Sequence, residues 1–265
     1  MKAKKSLGQN FISDPNLISA IADAASIEAT DTVIEIGPGR GALTLELADR
    51  ARSLTAVELD SDLIPILRAA CGMRDNITIV NEDILKFDFS SVDQENLRIV
   101  GNLPYYITTP IIMGLLEKGV KAKSMTFMVQ KEVAERIVSP PGSKDYGVLS
   151  ISVQYYCNAQ YMLDVGAEYF SPRPKVDSAV VRLTPKPERL LLPEDEALFF
   201  SMVKTAFSQR RKTLQNTLTG FTGLDKEALG ALLADAGIDP ARRPETLSLE
   251  EFASVCEKIK ERKNA

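Results

Sequence analysis

The sequence predicts an α/β protein, a doubly wound and mostly parallel sheet followed by a small all-α C-terminal domain, and two observations carry that prediction. From Thr32 to about Leu183, short β-branched apolar runs alternate with amphipathic segments, the pattern of parallel strands joined by helical crossovers. Beyond Pro193 the strand signal stops, and apolar residues fall at helical spacing in 194–206, 208–219, 225–236 and 248–260.

The elements follow in order. Asp14-Pro15 offers an N-cap and a proline at the first helical position, opening a helix through about Ala25. Strands are expected at Thr32–Ile36, Leu54–Leu59, Ile77–Val80, Arg98–Gly101 and Ser124–Val129, with helices between them. Gln130 or Lys131 opens a helix through Val138, and a late pair of strands lies near Tyr161–Val165 and Ala179–Leu183. In the tail, Gly220, Gly223, Gly237 and Pro240 separate the helices. The proline-rich joint Pro185-Lys186-Pro187 divides the chain into domains 1–185 and 186–265.

Composition narrows the chemistry. With no histidine in the chain, His-based acid–base catalysis and the usual zinc sites are excluded, and no metal is expected. Cys71, Cys157 and Cys256 form no CxxC pair and read as reduced thiols. The N-terminus is polar and basic, no stretch is apolar for long enough to span a membrane, and the cytosol is the expected location. The net charge is −4, and neither domain is basic, because 1–185 carry 19 basic against 23 acidic residues and 186–265 carry 13 of each. Phosphate binding would therefore rest on two local clusters, Lys2, Lys4 and Lys5, and Arg210, Arg211 and Lys212. Residue types alone leave these clusters open between an RNA contact and a solvated face, and the first thirteen residues open between a basic lid and a loose tail.

The chemistry concentrates at the expected strand ends. Val33-Ile34-Glu35-Ile36-Gly37-Pro38-Gly39-Arg40-Gly41 runs from a buried strand into a glycine turn that lets a ligand approach the backbone. Its spacing is GxGxG, and Glu35 before it would repel a pyrophosphate. A cationic, phosphate-free ligand such as S-adenosyl-L-methionine suits it better. Glu58 ends the next strand about twenty residues on, where doubly wound folds grip ribose hydroxyls. After the third strand, Asp83 can accept a hydrogen bond from an adenine amino group and Ile84 can pack on the ring. The fourth strand delivers Gly101-Asn102-Leu103-Pro104-Tyr105-Tyr106. The exocyclic nitrogen of adenine is a poor nucleophile because its lone pair is delocalised. The Asn102 side-chain oxygen, with the carbonyl of Leu103 or Pro104, can accept its two hydrogens and localise that pair, and Tyr105 offers a face on which a flipped base stacks.

On these motifs the chain resembles the KsgA (RsmA) family of ribosomal RNA small-subunit adenine dimethyltransferases. The resemblance extends to Lys5-Ser6-Leu7-Gly8-Gln9-Asn10-Phe11, to Phe170-Ser171-Pro172-Arg173-Pro174-Lys175-Val176-Asp177-Ser178, and to Ala206-Phe207-Ser208-Gln209-Arg210-Arg211-Lys212-Thr213-Leu214. It implies a Rossmann-like methyltransferase domain over 1–185, with 1–13 as a basic lid, and a small helical RNA-binding domain over 186–265. It also implies that Gln9, Asn10 and Ile12 close over the cofactor. Glu35, Gly37, Gly39, Glu58, Leu59, Asp83, Ile84 and Asn102 complete the cofactor set, and Tyr105 and Phe170 hold the target base. Phe170 taken alone could equally be core. The implied substrate is 16S ribosomal RNA in a precursor of the small ribosomal subunit, and the protein is expected to act as a monomer. Two other readings stay open: a large-subunit dimethylase of the antibiotic-resistance type, and an assembly factor whose binding matters more than methylation.

Overall fold

The computed structural model describes residues 4, 7–209 and 211–264. They form two compact units, one of residues 1–135 with 157–185 and one of 136–156 with 186–265.

The strands of the first unit are β1 (Phe11–Ile12), β2 (Thr32–Ile36), β3 (Ser53–Glu58), β4 (Ile77–Asn81), β5 (Leu97–Asn102), β6 (Ser124–Gln130), β7 (Cys157–Val165), β8 (Phe170–Ser171) and β9 (Ser178–Pro185). Seven of them form one sheet in the order β4-β3-β2-β5-β6-β9-β7. Its first five strands are parallel, and β9 runs antiparallel to both of its neighbours. All five residues of β2 are buried, as befits a central strand covered on both faces, whereas every residue of edge strand β4 keeps some exposure. Parallel neighbours need crossovers, which α2 (Ala42–Arg50), α3 (Ile64–Cys71) and α4 (Thr108–Glu117) supply. α1 (Pro15–Ala25) precedes β2; Asp14 caps it by accepting the Leu17 N–H at 2.8 Å. β7 starts four residues before the expected Tyr161. Its added residues alternate in exposure and pair with β9 through Asn158 and Thr184, so pairing rather than apolar content makes them a strand.

Chain order explains where this sheet opens. β2 pairs with β3 on one side and with β5 on the other. The chain thus winds outward from β2 to β4 and then returns across to β5. A reversal of this kind leaves a crevice beyond the carboxyl ends of the strands. Close packing of β5 on β2 demands Gly101, since a Cβ there would lie 2.9 Å from the Ile36 carbonyl oxygen. At the opposite edge of the sheet, buried Asp31 accepts from the Glu28 N–H at 2.9 Å and Lys123 Nζ at 3.0 Å, and it also binds Arg98 Nε. Arg98 in turn donates to Ser124 Oγ at 3.1 Å, so the starts of β2, β5 and β6 are fastened together.

In the second unit, α6 (Val148–Tyr156), α7 (Glu196–Ala206), α8 (Leu214–Thr222), α9 (Lys226–Asp235) and α10 (Leu249–Asn264) are helices, and α5 (Lys131–Val138) bridges the division of the chain. Residues 136–156, expected within the first domain, group with the tail for a packing reason. Tyr146, Ile151 and Tyr155 sit in the tail's apolar core, with the Tyr155 ring 5.1 Å from that of Phe199. The helix expected over 208–219 starts only at Leu214, where the Thr213 hydroxyl caps the Asn216 N–H. Among the described residues no helix is long and apolar enough to cross a membrane.

Candidate functional site

Beyond the carboxyl ends of β2 to β5 lies a cleft of about 1120 Å³, its open mouth included. The site is built wholly within the first unit. β2 contributes Glu35 and then the turn of Gly37 and Gly39, whose φ angles of 67° and 59° lie in the left-handed region. A Cβ on Gly39 would stand 3.1 Å from the Phe11 ring, so this glycine lets the N-terminal segment close on the turn. Glu35 is only 2% exposed, and its Oε2 has no hydrogen-bond partner. Burial pushes its carboxyl up to about 8; Thr44 opposes the shift, and the neighbouring Glu58 charge adds to it.

β3 ends in Glu58, buried and fixed at both oxygens. Oε2 accepts the Gly39 N–H at 3.1 Å and Oε1 the Asp60 N–H at 2.8 Å. Burial raises its pKa against these bonds. A carboxylate has about four lone-pair sites, so acceptor capacity remains for a ligand. After β4, Asp83 caps a turn by accepting the Leu85 N–H at 3.0 Å, with Ile84 buried beside it on the cleft wall.

β5 ends in Asn102, whose Nδ2 donates to the Asn10 carbonyl at 3.0 Å. Among the described residues its Oδ1 takes no donor. The Pro104 carbonyl is occupied by the Ile107 N–H and the Thr108 hydroxyl, each at 3.1 Å. That leaves the Leu103 carbonyl, which takes no donor among the described residues and whose residue also lines the cleft, as the backbone acceptor of this turn. Tyr105 is half-buried with its hydroxyl 2.6 Å from Ser178 Oγ. Burial raises the pKa of this phenol, the Ser178 bond opposes that, and Asp177 adds to it.

A strap of N-terminal residues covers this floor. Leu7 to Ile12 all line the cleft, and β1 pairs with β8, Phe11 facing Ser171 and Ile12 facing Phe170. The Arg40 guanidinium lies 4.5 Å from the centre of the Phe11 ring. Among the described residues Arg40 is the one cation on a wall that also carries Glu35, Glu58, Glu82 and Asp83. Such a charge balance suits a ligand with positive charge and no phosphate. Among the described residues no cluster could hold a metal ion.

The structure brings together Gln9, Asn10, Ile12, Glu35, Gly37, Gly39, Glu58, Leu59, Asp83, Ile84, Asn102, Leu103, Pro104 and Tyr105. Phe170 is not among them. It is 5% exposed and packs in the apolar core with Ile12, because alternation along the two-residue β8 turns Phe170 inward and Ser171 outward. Lys4, expected on RNA phosphates, is instead paired with Asp60 and Asp62, both at 2.6 Å. Arg211 and Lys212 are exposed in the turn before α8 and have no ion-pair partner among the described residues; Lys5 and Arg210 lie outside those residues. The reading of strand ends overlooked Phe11, Arg40 and Tyr106, since each gains its place from a segment distant in sequence. A signal for Lys4 was available: a lysine-rich start with no acid of its own, and an acid-rich stretch at Glu58, Asp60 and Asp62.

Comparison with known proteins gives a consistent result. Residues 1–261 match the family described as ribosomal RNA adenine dimethylase. Proteins called ribosomal RNA small subunit methyltransferase A are similar across nearly the whole chain. The one from Alkaliphilus oremlandii is 48% identical, covering 97% of this chain and 92% of its own. That from Clostridium perfringens is 49% identical over 96% and 90%. Among solved structures, a dimethyladenosine transferase from Plasmodium falciparum superposes with a TM-score of 0.82 at 26% identity, covering 96% of this chain and 98% of that one. The 23S rRNA methyltransferase ErmE superposes at 0.74 with 31% identity, over 95% and 100%.

Proposed function

This chain belongs to the ribosomal RNA adenine dimethylase family, and from that premise we propose that it methylates two adjacent adenosines in the 3′-terminal hairpin of 16S ribosomal RNA. The methyl donor is S-adenosyl-L-methionine, the product is N6,N6-dimethyladenosine, and the substrate is a cytoplasmic precursor of the small ribosomal subunit. The curated relatives named for the small subunit, at 48% and 49% identity, support this over the large-subunit reading, whose structural neighbour is 31% identical.

The cleft fits the donor on three counts: an unpartnered buried oxygen on Glu35, a glycine cradle that a Cβ would fill, and an acidic wall. When bound, S-adenosyl-L-methionine supplies an electrophilic methyl group on a sulfonium centre. Glu35 would face its cationic amino-acid end across the Gly37–Gly39 turn, and Glu58 would accept its ribose hydroxyls with its remaining acceptor capacity. Asp83 would accept from its adenine amine, with Ile84 and Leu59 against the ring. Gln9, Asn10 and Ile12 would close over it.

The observation that carries the reading is the disposition of Asn102. Its amide nitrogen is spent on the Asn10 carbonyl at 3.0 Å, which fixes its oxygen as the free acceptor. Asn102 Oδ1 and the Leu103 carbonyl would hold the two hydrogens of the target amine and localise its lone pair, while Pro104 shapes the turn. Tyr105 would stack the flipped base. The released proton goes to water, since no histidine is present to take it. Arg211 and Lys212 would meet RNA phosphates from the second unit. The test offers immature small subunits, naked 16S RNA and 23S RNA to the purified protein with labelled donor, then digests each to nucleosides for mass spectrometry. N6,N6-dimethyladenosine in the small-subunit RNA is expected. Product only in 23S RNA supports the large-subunit reading, and tight binding to subunits without product supports the assembly-factor reading.

A further inference from the structure

We infer that Asp60 is a positioning residue for the cofactor, which latches the N-terminal strap across the cleft and thereby sets how long the cofactor stays bound. The inference rests on the proposal that this cleft holds S-adenosyl-L-methionine. Asp60 does not line the cleft and cannot be a ligand. It is nevertheless 4% exposed, and its carboxylate is spent almost wholly on the strap. Oδ1 accepts from Lys4 Nζ at 2.6 Å and from the Asp62 N–H at 3.1 Å, and Oδ2 accepts from Gln9 Nε2 at 2.7 Å. The Lys4 N–H donates to Gln9 Oε1 at 2.8 Å, so Lys4, Gln9 and Asp60 close a ring. With its own N–H, Asp60 holds Glu58 Oε1 at 2.8 Å. One residue therefore grips the strap with its side chain and the ribose carboxylate with its backbone.

Among the described residues the other polar ties of this part of the strap are few. Lys4 also pairs with exposed Asp62 at 2.6 Å, Asn10 donates to the Gly8 carbonyl within the strap at 3.2 Å, and its own carbonyl accepts from Asn102; Leu7 to Asn10 are half-buried and β1 is two residues long. A strap fastened by a few charge-assisted bonds can be released without unfolding the sheet below, as a lid must be for cofactor to exchange.

The test is the dissociation rate of S-adenosyl-L-methionine from the full-length protein, measured by stopped flow for the wild type, Asp60→Asn, Lys4→Met and Lys4→Arg. Loss of a hydrogen bond to a charged group predicts off-rates about tenfold faster in Asp60→Asn and Lys4→Met. Lys4→Arg keeps the pair and should stay within about twofold of wild type. The KM for cofactor should rise with the off-rate while the KM for RNA holds, a split that general destabilisation would not produce. Added salt should speed release from the wild type but not from Lys4→Met. Wild-type off-rates in both Asp60→Asn and Lys4→Met would overturn the latch and leave the cofactor assignment standing. Absence of saturable binding to the wild type would overturn both.

Discussion

Asp31 and Glu35 stand four residues apart at opposite ends of β2, both buried, and their surroundings differ in kind. Burial works against the charge of each. At Asp31 the Glu28 N–H, Lys123 and Arg98 more than offset it and hold the carboxyl below its ordinary range. At Glu35 the Thr44 hydroxyl is too little to offset it: one oxygen is unpartnered among the described residues and the pKa stays at about 8. Among the described residues the Asp31 end of the strand is electrostatically complete within the chain, and the Glu35 end is not. A fold can leave buried charge unsatisfied only at some cost in stability, so the unfinished edge is where function is to be sought.

If the two edges are divided in this way, substitutions at one should harm chemistry and at the other stability. The largest effect is expected from Asn102→Ala. Removing one preorganised dipole from the transition state should slow methyl transfer about a thousandfold, with the melting temperature nearly unchanged and cofactor affinity lowered only by the lost tie to the Asn10 carbonyl. Mass spectrometry of digested RNA reads the product, and near wild-type N6,N6-dimethyladenosine would refute the role given to Asn102. Next in size is Asp31→Ala, which strands Arg98 and Lys123 at the completed edge and should lose roughly 3 kcal/mol of unfolding free energy. Urea denaturation measures that loss; the dissociation constant of S-adenosyl-L-methionine should not move, and a matching loss of cofactor affinity would show that the edges are not independent.

Legibility in the sequence follows the same division. The central strands were readable because β2 and β6 are buried on both faces and appear as short runs dominated by apolar residues. The floor of the cleft was readable because Glu35, Glu58, Asp83 and Asn102 stand at successive strand ends, and winding about a switch point places such ends together. What rests on pairing between distant segments was not. β1 and β8 have two residues each and no pattern to detect, yet their pairing carries Phe170 into the core. The grouping of 136–156 with the tail depends on Tyr146, Ile151 and Tyr155 meeting residues such as Phe199, which no local window contains. Nor does charge alone say whether a lysine meets phosphate or a carboxylate, and Lys4 meets Asp60 and Asp62.

A smaller effect should separate the acids within the unfinished edge. Glu58→Ala loses two ribose hydrogen bonds but leaves Asn102 in place, so cofactor affinity should fall by about 1.5–3 kcal/mol, with the rate at saturating cofactor less affected than in Asn102→Ala. Titration calorimetry checks this, and an unchanged dissociation constant would remove Glu58 from the site.

The last prediction concerns the sign of the pH dependence at the two ends of β2. Glu35 has an ordinary pKa of 4.5 and one of about 8 in the folded chain. Between those values the native protein holds a proton that the unfolded chain has released. Its contribution to stability is therefore full below pH 4.5 and is lost as pH rises toward about 8, at up to about 1.4 kcal/mol per pH unit. Asp31 has the opposite sign: its pKa is lowered, so its contribution is present above the ordinary value of 3.8 and is lost as pH falls below it. With no histidine in the chain, few other side chains titrate between pH 5 and 8 to obscure the difference. Glu58, also raised by burial, slopes stability in the same direction. Subtracting the urea stability of Glu35→Gln from that of the wild type, pH by pH, reads Glu35 together with its coupling to the Glu58 charge. The difference should grow steadily against the wild type from pH 5 to 8, making the ligand-free variant the more stable protein at pH 8 and the weaker binder of S-adenosyl-L-methionine. Parallel stability curves would mean that Glu35 is already satisfied without a ligand, and the contrast between the two edges of the sheet would fail.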